Sequence, residues 1–167
     1  ITLGIISPDG RDGMIEHTQQ LIDMKVPYVF DPGQGMPMFN KEELVFFSDN
    51  ASWVVMNDYE FKMYNEITGY TPADVIQNNK TLVITNGDQG SNIFTENKKL
   101  NIATPKVDNP KDPTGCGDAY RAGIMYGIMN NMPLEKIGEL SSALGALKAK
   151  SYGTQNHIIG TEIKKLL

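Results

Sequence analysis

Four short apolar runs, which begin about 25 residues apart, constrain the fold more than any other feature of the sequence. Each run is nearly continuous and partly β-branched or aromatic, as expected for a strand buried on both faces. Helical patterns of a length that suits a crossover lie between the runs. This alternation predicts βαβ units and a three-layer α/β fold with a mostly parallel central sheet. The runs are residues 3–6, 28–30, 53–56 and 82–84.

The intervening segments carry the expected signals of helix ends. Asn40 and Glu43 have the spacing of a capping box, and Gly69 follows a helix that we predict over residues 58–67. An earlier helix is indicated by a mostly apolar stripe of five residues, which are Met14, Ile15, Thr18, Leu21 and Ile22.

The alternation of strand and helix patterns ends after residue 84. Residues 92–95 and 100–104 read as a hairpin, and two helices are predicted over 115–131 and 134–150. Gly123 and Gly127 would allow the first of these helices to pack closely against a neighbour. A chain of 167 residues without a repeat or a low-complexity linker is expected to form one domain, 1–167.

Charge and composition exclude several classes of protein. A net charge of −5 argues against a general affinity for nucleic acid or anionic membranes, and the apolar runs are too short to span a bilayer. One Cys and two His cannot build a Cys/His zinc site. A single Cys also forms no internal disulfide, so a reducing, cytoplasmic setting is the default. Residues 98–167 hold 10 basic and 6 acidic side chains. This basic segment could attract a small polyanion, although from charge alone ordinary solvated lysines are the better explanation.

Polar and glycine residues directly follow three of the predicted strands. In an open parallel sheet, ligands bind beyond the carboxyl ends of the strands. Turn residues occur at the same places in any α/β protein, so this placement also has a purely structural reading. The residues are 31–33 after the second run, Asn57 and Glu60 after the third, and 85–87 with Gly90 after the fourth.

The stronger signal is the segment 112–118, in which small residues lead directly into a helix. The backbone amides of Gly115, Cys116 and Gly117 are expected to face outward at the positive end of the helix dipole, where they could bind an anion. Asp118 in the first turn could accept a proton from an attacking hydroxyl or could simply compensate the dipole. The segment is neither a P-loop nor a dinucleotide-binding loop, because Tyr120 stands where the latter requires Gly.

These residues resemble the ribokinase-like (PfkB) carbohydrate and nucleoside kinases. Residues 112–118 are similar to the family's Asp-Thr-x-Gly-Ala-Gly-Asp loop, with Pro113 in place of Thr and Cys116 in place of Ala. Residues 57–60 resemble its Asn-x-x-Glu motif, 85–90 its Thr-x-Gly-x-x-Gly nucleotide loop, and 153–155 a turn near the adenine. The local details look most like bacterial adenosine-kinase-like members.

The resemblance implies an ATP-dependent phosphotransferase that acts on a hydroxyl of a sugar or nucleoside, such as adenosine or a related ribose or fructose compound. Asp118 would be the catalytic base, and Asn57 with Glu60 would hold Mg²⁺. Asp112 corresponds to a residue that contacts a monovalent cation in some relatives, which leaves K⁺ dependence open. The amides of Gly115, Cys116 and Gly117 would stabilise the transferring phosphoryl group. ATP would contact Thr85, Gly87, Gly90, Thr114, Gly153 and Gln155.

Some alternatives stay open. Family members usually run to about 300 residues, so we expect the chain to be a C-terminal part, with the N-terminal part and the lid absent. Such a part could be a non-catalytic nucleotide-binding module or an inactive fragment, and a homodimer of the full-length protein stays open. Cys116 could instead be the nucleophile of a hydrolase. Arg121 could contact phosphate or form an ion pair with Asp118.

Overall fold

The computed structural model describes residues 1–164, which form a mixed sheet of six strands flanked by helices. The strands follow one another across the sheet in chain order, and the first four are parallel. This confirms the predicted α/β fold with a mostly parallel sheet. The strands are β1 (Gly4–Ile6), β2 (Tyr28–Phe30), β3 (Trp53–Asn57), β4 (Thr81–Thr85), β5 (Ser91–Phe94) and β6 (Lys99–Ile102).

The core lies where the apolar runs predicted it. Phe30 in β2, Val54 in β3 and Leu82 in β4 are fully buried, because helices cover both faces of a parallel sheet. Phe30 stacks on Phe47, whose ring centroid lies 5.0 Å away, and this pair joins the sheet to a covering helix. The predicted hairpin corresponds to β5 and β6, which are neighbours in the sheet.

The helices also begin and end close to the predicted residues. Asn40 and Glu43 form the expected capping box, and Gly69, with φ of 80°, ends the third helix in a left-handed conformation. The helices are α1 (Arg11–Asp23), α2 (Lys41–Asn50), α3 (Asp58–Thr68), α4 (Pro72–Val75), α5 (Cys116–Met129), α6 (Leu134–Ala149) and α7 (Thr161–Lys164).

The helices α5 and α6 pack closely through glycines. A Cβ on Gly123 would lie 2.7 Å from the Cα of Ser141, and a Cβ on Gly127 would lie 2.6 Å from Cγ1 of Ile137. Only a residue without a side chain allows this approach, which confirms the predicted role of the two glycines. Since a short connection joins the helices, they form an αα-hairpin.

The chain groups into two compact units. One contains residues 1–86 and 92–100, and the other contains residues 87–91 and the chain from 101 onward. A single domain over 1–167 stays a prediction. Within the part of the chain that the structure describes, every helix is too short or too polar to cross a membrane.

Candidate functional site

The carboxyl ends of β3 and β4 bring three of the predicted site residues together. Asn57 and Thr85 are the last residues of the two strands and lie opposite each other in the parallel register. Glu60 follows Asn57 in the first turn of α3. Parallel strands end at one edge of the sheet, where the strand alternation predicted a ligand site.

Asn57 and Glu60 form a complete capping box at the start of α3. The Asn57 side-chain oxygen accepts from the Glu60 amide at 2.7 Å, and Glu60 Oε2 accepts from the Asn57 amide at 2.7 Å. The motif therefore has a structural role of its own, since it satisfies two helix-terminal N–H groups. The second carboxylate oxygen of Glu60, Oε1, is not used by the capping box. A carboxylate in the first turn also complements the helix dipole.

The loop between β4 and β5 carries Gly87 and Gly90, both in left-handed conformations with φ of 58° and 95°. A Cβ on Gly90 would overlap the carbonyl oxygen of Ile102, so this position requires glycine. The Ser91 and Tyr120 hydroxyls lie 2.7 Å apart and are both buried. This hydrogen bond fixes the end of the loop against α5 close to its first turn.

The segment ahead of α5 forms the predicted loop with a glycine cap. Gly115 is the N-cap residue and has φ of 84°. The Cys116 amide donates to the Pro113 carbonyl at 3.0 Å, so a turn within the loop already uses one of the three amides that the sequence indicated. The amide N–H groups of Gly117 and Asp118 donate no hydrogen bond to any of the described residues. These first-turn amides are available to an anion at the positive end of the helix.

Asp118 lies at the mouth of this loop, with 78% of its side chain exposed. Arg121 Nη1 lies 3.4 Å from Asp118 Oδ1, so the ion pair that we considered from the sequence is present. A Cβ on Gly117 would lie 2.6 Å from the same Nη1, which places the guanidinium beside the first turn of α5. Arg121 is largely buried, with 17% of its side chain exposed, so the pair puts a partly buried cation beside an exposed carboxylate next to these first-turn amides.

Asp112 joins the loop to the segment that follows α6. Its Oδ1 accepts from the Thr114 amide at 2.9 Å, and its Oδ2 accepts from the Gly153 amide at 2.8 Å. These bonds, with the Thr114 contacts first, lower the pKa of Asp112 to about 2. Gly153 has φ of 74°, and Gln155 is exposed two residues further along. The predicted phosphate loop and the predicted adenine turn are therefore directly connected.

We expect Asp112 to make stability depend on pH in acid. Because its pKa is lower in the folded state than the ordinary 3.8, its contribution is fully present above about pH 4 and is lost as the pH falls toward 2. The difference in unfolding free energy between wild type and Asp112→Asn should be constant near neutrality and shrink below about pH 4. Urea denaturation over this range measures it.

Asp108→Asn is the matched control, since Asp108 is exposed and pairs with Lys106 at 3.8 Å. This variant should hardly differ from the wild type in unfolding free energy, because an exposed pair contributes little. A constant difference for Asp112→Asn throughout the acid range would contradict the assignment.

Lys148, which the sequence did not mark as a site residue, is fully buried near the end of α6. Its Nζ donates to the carbonyl of Asp112 at 2.8 Å and to the carbonyl of Ser151 at 3.1 Å. A lysine in a helix normally indicates a solvated face. The signal that could have revealed it was its position four residues after Leu144, on the apolar stripe of α6.

The thiol of Cys116 does not have the properties of an activated nucleophile. Burial raises its pKa, whereas a nucleophilic cysteine requires a lowered pKa to form the thiolate. The residue is partly buried as the first residue of α5. This weakens the hydrolase alternative and favours a packing role for Cys116.

Comparison with known proteins gives one family. The model of the pfkB family carbohydrate kinases matches residues 3–160. The chain is 33% identical over 129 residues to a nucleoside kinase of Methanocaldococcus jannaschii, a match that covers 77% of this chain and 43% of the relative. It is 32% identical over 134 residues to a nucleoside kinase of Thermoplasma acidophilum, covering 80% of this chain and 44% of the relative.

Solved structures agree with this match. The nucleoside kinase of Burkholderia thailandensis in complex with ADP-inosine superimposes with a TM-score of 0.96 at 36% identity, covering 99% of this chain and 52% of that one. The complex of the same kinase with inosine gives a TM-score of 0.91 at 38% identity, covering 94% of this chain and 52% of that one. The chain thus spans about half the length of the proteins that it resembles.

Proposed function

Since the chain belongs to the pfkB family of carbohydrate kinases, we propose that it is the C-terminal, nucleotide-binding and catalytic part of an ATP-dependent nucleoside kinase. The reaction would transfer the γ-phosphoryl group of ATP to a hydroxyl of the nucleoside. Nucleoside is the first choice of acceptor because the relatives described above are nucleoside kinases. A free sugar, such as ribose or a fructose derivative, is the second choice.

The observation that carries the proposal is the start of α5. Two free first-turn amides, a guanidinium and an exposed carboxylate all lie within a single helical turn there. Phosphoryl transfer needs little covalent chemistry from a protein and depends mainly on positioning and on stabilising charge. These groups offer both, because the amides and Arg121 can face the phosphoryl oxygens while Asp118 remains accessible to the acceptor.

Asp118 would act as the general base. Its carboxylate can accept the proton of the acceptor hydroxyl as that oxygen attacks phosphorus, and the negative charge that develops on the phosphoryl oxygens would fall on the amides of Gly117 and Asp118. Gly115 keeps the loop open to the approaching phosphate, since it has no side chain. The residues proposed to contact the nucleotide, as the resemblance implies, are Thr85, Gly87, Gly90, Thr114, Gly153 and Gln155.

Mg²⁺ would supply charge neutralisation on the ATP phosphates. Asn57 and Glu60 fit this role in part, because Mg²⁺ in kinases keeps several waters and uses one or two carboxylates together with substrate phosphates. Among the described residues, there is no cluster of three or more acidic, His or Cys side chains that could hold a metal without such help. Glu60 Oε1 and the Asn57 side chain would therefore bind the water shell of the ion.

The Mg²⁺ role can be separated from the capping role with Glu60→Gln. Glutamine can still accept the Asn57 amide, so the helix cap is kept and only the charge is lost. We expect the Mg²⁺ concentration for half-maximal activity to rise about tenfold, with a change in unfolding free energy of at most about 0.5 kcal/mol. Titration of activity with Mg²⁺ at constant total ATP, together with urea denaturation, measures both.

Glu43→Gln is the matched control, because Asn40 and Glu43 form the same capping box with distances of 2.9 and 3.0 Å. Glu43 also pairs with the exposed Arg11, a contact expected to contribute little. The control should leave the Mg²⁺ dependence unchanged. Equal Mg²⁺ responses in the two variants would remove Glu60 from the metal site.

The proposed reaction is tested with the natural full-length polypeptide, Mg-ATP and a panel of inosine, adenosine, ribose and fructose derivatives. Phosphorylation of a nucleoside in preference to the free sugars supports the proposal, and no transfer to any acceptor contradicts it. The second candidate is a nucleotide-binding module without catalysis, which the free first-turn amides of α5 would support without a general base. Calorimetric binding of Mg-ATP by the full-length protein in the absence of turnover would support that candidate.

A further inference from the structure

Lys148 is a buried charge that the proposed reaction does not use. It is fully buried, yet an ammonium group taken out of water is costly unless it is paired and hydrogen-bonded. Its two described partners are the backbone carbonyls of Asp112 and Ser151, at 2.8 and 3.1 Å. An ammonium has three donors and no acceptor, so two carbonyl oxygens and a nearby carboxylate form a suitable environment for it.

The two carbonyls belong to separate segments that meet at this point. Asp112 precedes the anion-binding loop, and Ser151 follows α6. The amides of Lys111 and Asp112 also donate to the Ala149 carbonyl, at 2.8 and 3.4 Å, and the Gly153 amide donates to the Asp112 carboxylate at 2.8 Å. The Lys148 ammonium therefore lies where these two segments meet and donates a hydrogen bond to a backbone carbonyl of each.

This junction sets the position of the anion-binding loop. A Cβ on Gly115 would lie 2.9 Å from the Thr154 carbonyl oxygen and 3.0 Å from its Cα, so the loop rests directly on the segment after α6. Any shift of residues 151–154 would move the backbone against which Gly115 is packed. Lys148 thus acts on the loop through its neighbours and touches none of the reacting atoms.

The same arrangement decides whether K⁺ fits here. K⁺ in proteins is bound by backbone carbonyl oxygens that replace its hydration shell. Here the Asp112 and Ser151 carbonyls already accept from a covalently attached cation, and a second cation beside it would be repelled. The residues at Asp112 therefore do not fit a bound K⁺, in contrast to the dependence that the sequence left open.

We propose that the Lys148 ammonium takes the place of a bound monovalent cation and is the positioning residue of the anion-binding loop. It follows that the protein needs no K⁺. The link to catalysis rests on the proposed kinase function, whereas the occupation of the cation position does not. The two parts can be tested by separate measurements.

The first measurement uses wild-type full-length protein and no turnover. Thermal unfolding is compared in KCl, NH₄Cl and tetramethylammonium chloride at equal ionic strength. We expect the same unfolding temperature in all three salts, because the site already holds its cation. A selective increase with K⁺ would overturn the proposal, whether or not the protein is a kinase.

The second measurement uses Lys148→Ala, which removes the ammonium and its stem. Turnover should fall about tenfold or more, mainly in kcat, since the loop is displaced while substrate contacts remain. K⁺ or NH₄⁺ should now raise both the unfolding temperature and kcat of this variant, and Lys148→Arg should retain more activity than Lys148→Ala. Lys150→Ala, which alters an exposed lysine two residues later, should match the wild type.

The outcomes are separable. Full activity of Lys148→Ala without any added cation would overturn the proposal, and so would a loss that neither K⁺ nor NH₄⁺ reduces, since that is the behaviour of a purely structural residue. If Lys148→Ala does not fold, the wild-type salt comparison decides. Absence of phosphoryl transfer by the wild type would contradict the proposed function alone, because the unfolding measurements still report whether the cation position is occupied.

Discussion

Asp118→Asn should lower kcat for nucleoside phosphorylation by roughly 10³-fold. Asparagine has the same shape and can keep the contact with Arg121, but its amide cannot accept the proton of the attacking hydroxyl. The KM values for ATP and nucleoside should change little, because the lost interaction belongs to the transition state. Since the side chain is 78% exposed, stability should hardly change. Steady-state kinetics of the full-length protein with Mg-ATP and inosine measure the effect.

The control for Asp118 must remove a first-turn carboxylate that has no part in the reaction. Glu135→Gln does so, since Glu135 is exposed in the first turn of α6 and also complements a helix dipole. It should leave kcat unchanged. If Asp118→Asn retains wild-type turnover, Asp118 serves only the dipole and the base lies elsewhere.

Gly115→Ala should have the second largest effect, in both stability and activity. A left-handed conformation is unfavourable for alanine by about 1–2 kcal/mol, and the new Cβ would also press on the Thr154 backbone, 2.9 Å from its carbonyl oxygen. Because the Gly153 amide is bonded to Asp112, that backbone cannot easily retreat. We expect a loss of about 3 kcal/mol in unfolding free energy and a fall of about 100-fold in kcat.

Gly69→Ala separates conformational strain from contact. Gly69 has φ of 80°, close to the 84° of Gly115, but a Cβ added there would have no other atom within 4 Å. This variant should suffer only the conformational strain and retain full kcat. Urea denaturation measures the loss of unfolding free energy in both variants. If the two losses are equal and Gly115→Ala keeps the wild-type kcat, the contact with Thr154 is unimportant.

The strands of the sheet could be predicted from the sequence because each strand is specified by a short run of neighbouring residues. Strands buried on both faces need short continuous apolar runs, and the observed Tyr28–Phe30 strand coincides with the run, while Trp53–Asn57 and Thr81–Thr85 differ from theirs by at most a residue at either end. The short helix Pro72–Val75 was not predicted, because a single turn has no room for a 3.6-residue period. Neither was the 3₁₀ helix over Gly33–Met38, because a helix with three residues per turn does not show the 3.6-residue period.

The sequence predicted which segments form the candidate site, but it did not predict the hydrogen bonds within that site. The order of small residues indicated a loop with outward amides at the start of α5, and the structure has a glycine cap there. Which amides remain available depends on the turn that the loop adopts, and the bond from Cys116 to Pro113 is not encoded in any residue pattern. The contact of Lys148 with Asp112 joins residues 36 positions apart, so only the fold could reveal it.

The glycine packing of α5 against α6 has a consequence for the lifetime of the loop that precedes α5. The loop lies at the start of α5, and the segment that supports it leaves the end of α6, so the helix pair holds it from both sides. Closely packed helices tend to open together as one cooperative unit. Backbone amide hydrogens on both sides of the loop should then exchange with solvent at a common rate, set by a shared opening of α5 and α6. The glycine-rich segment should not exchange faster through local fraying.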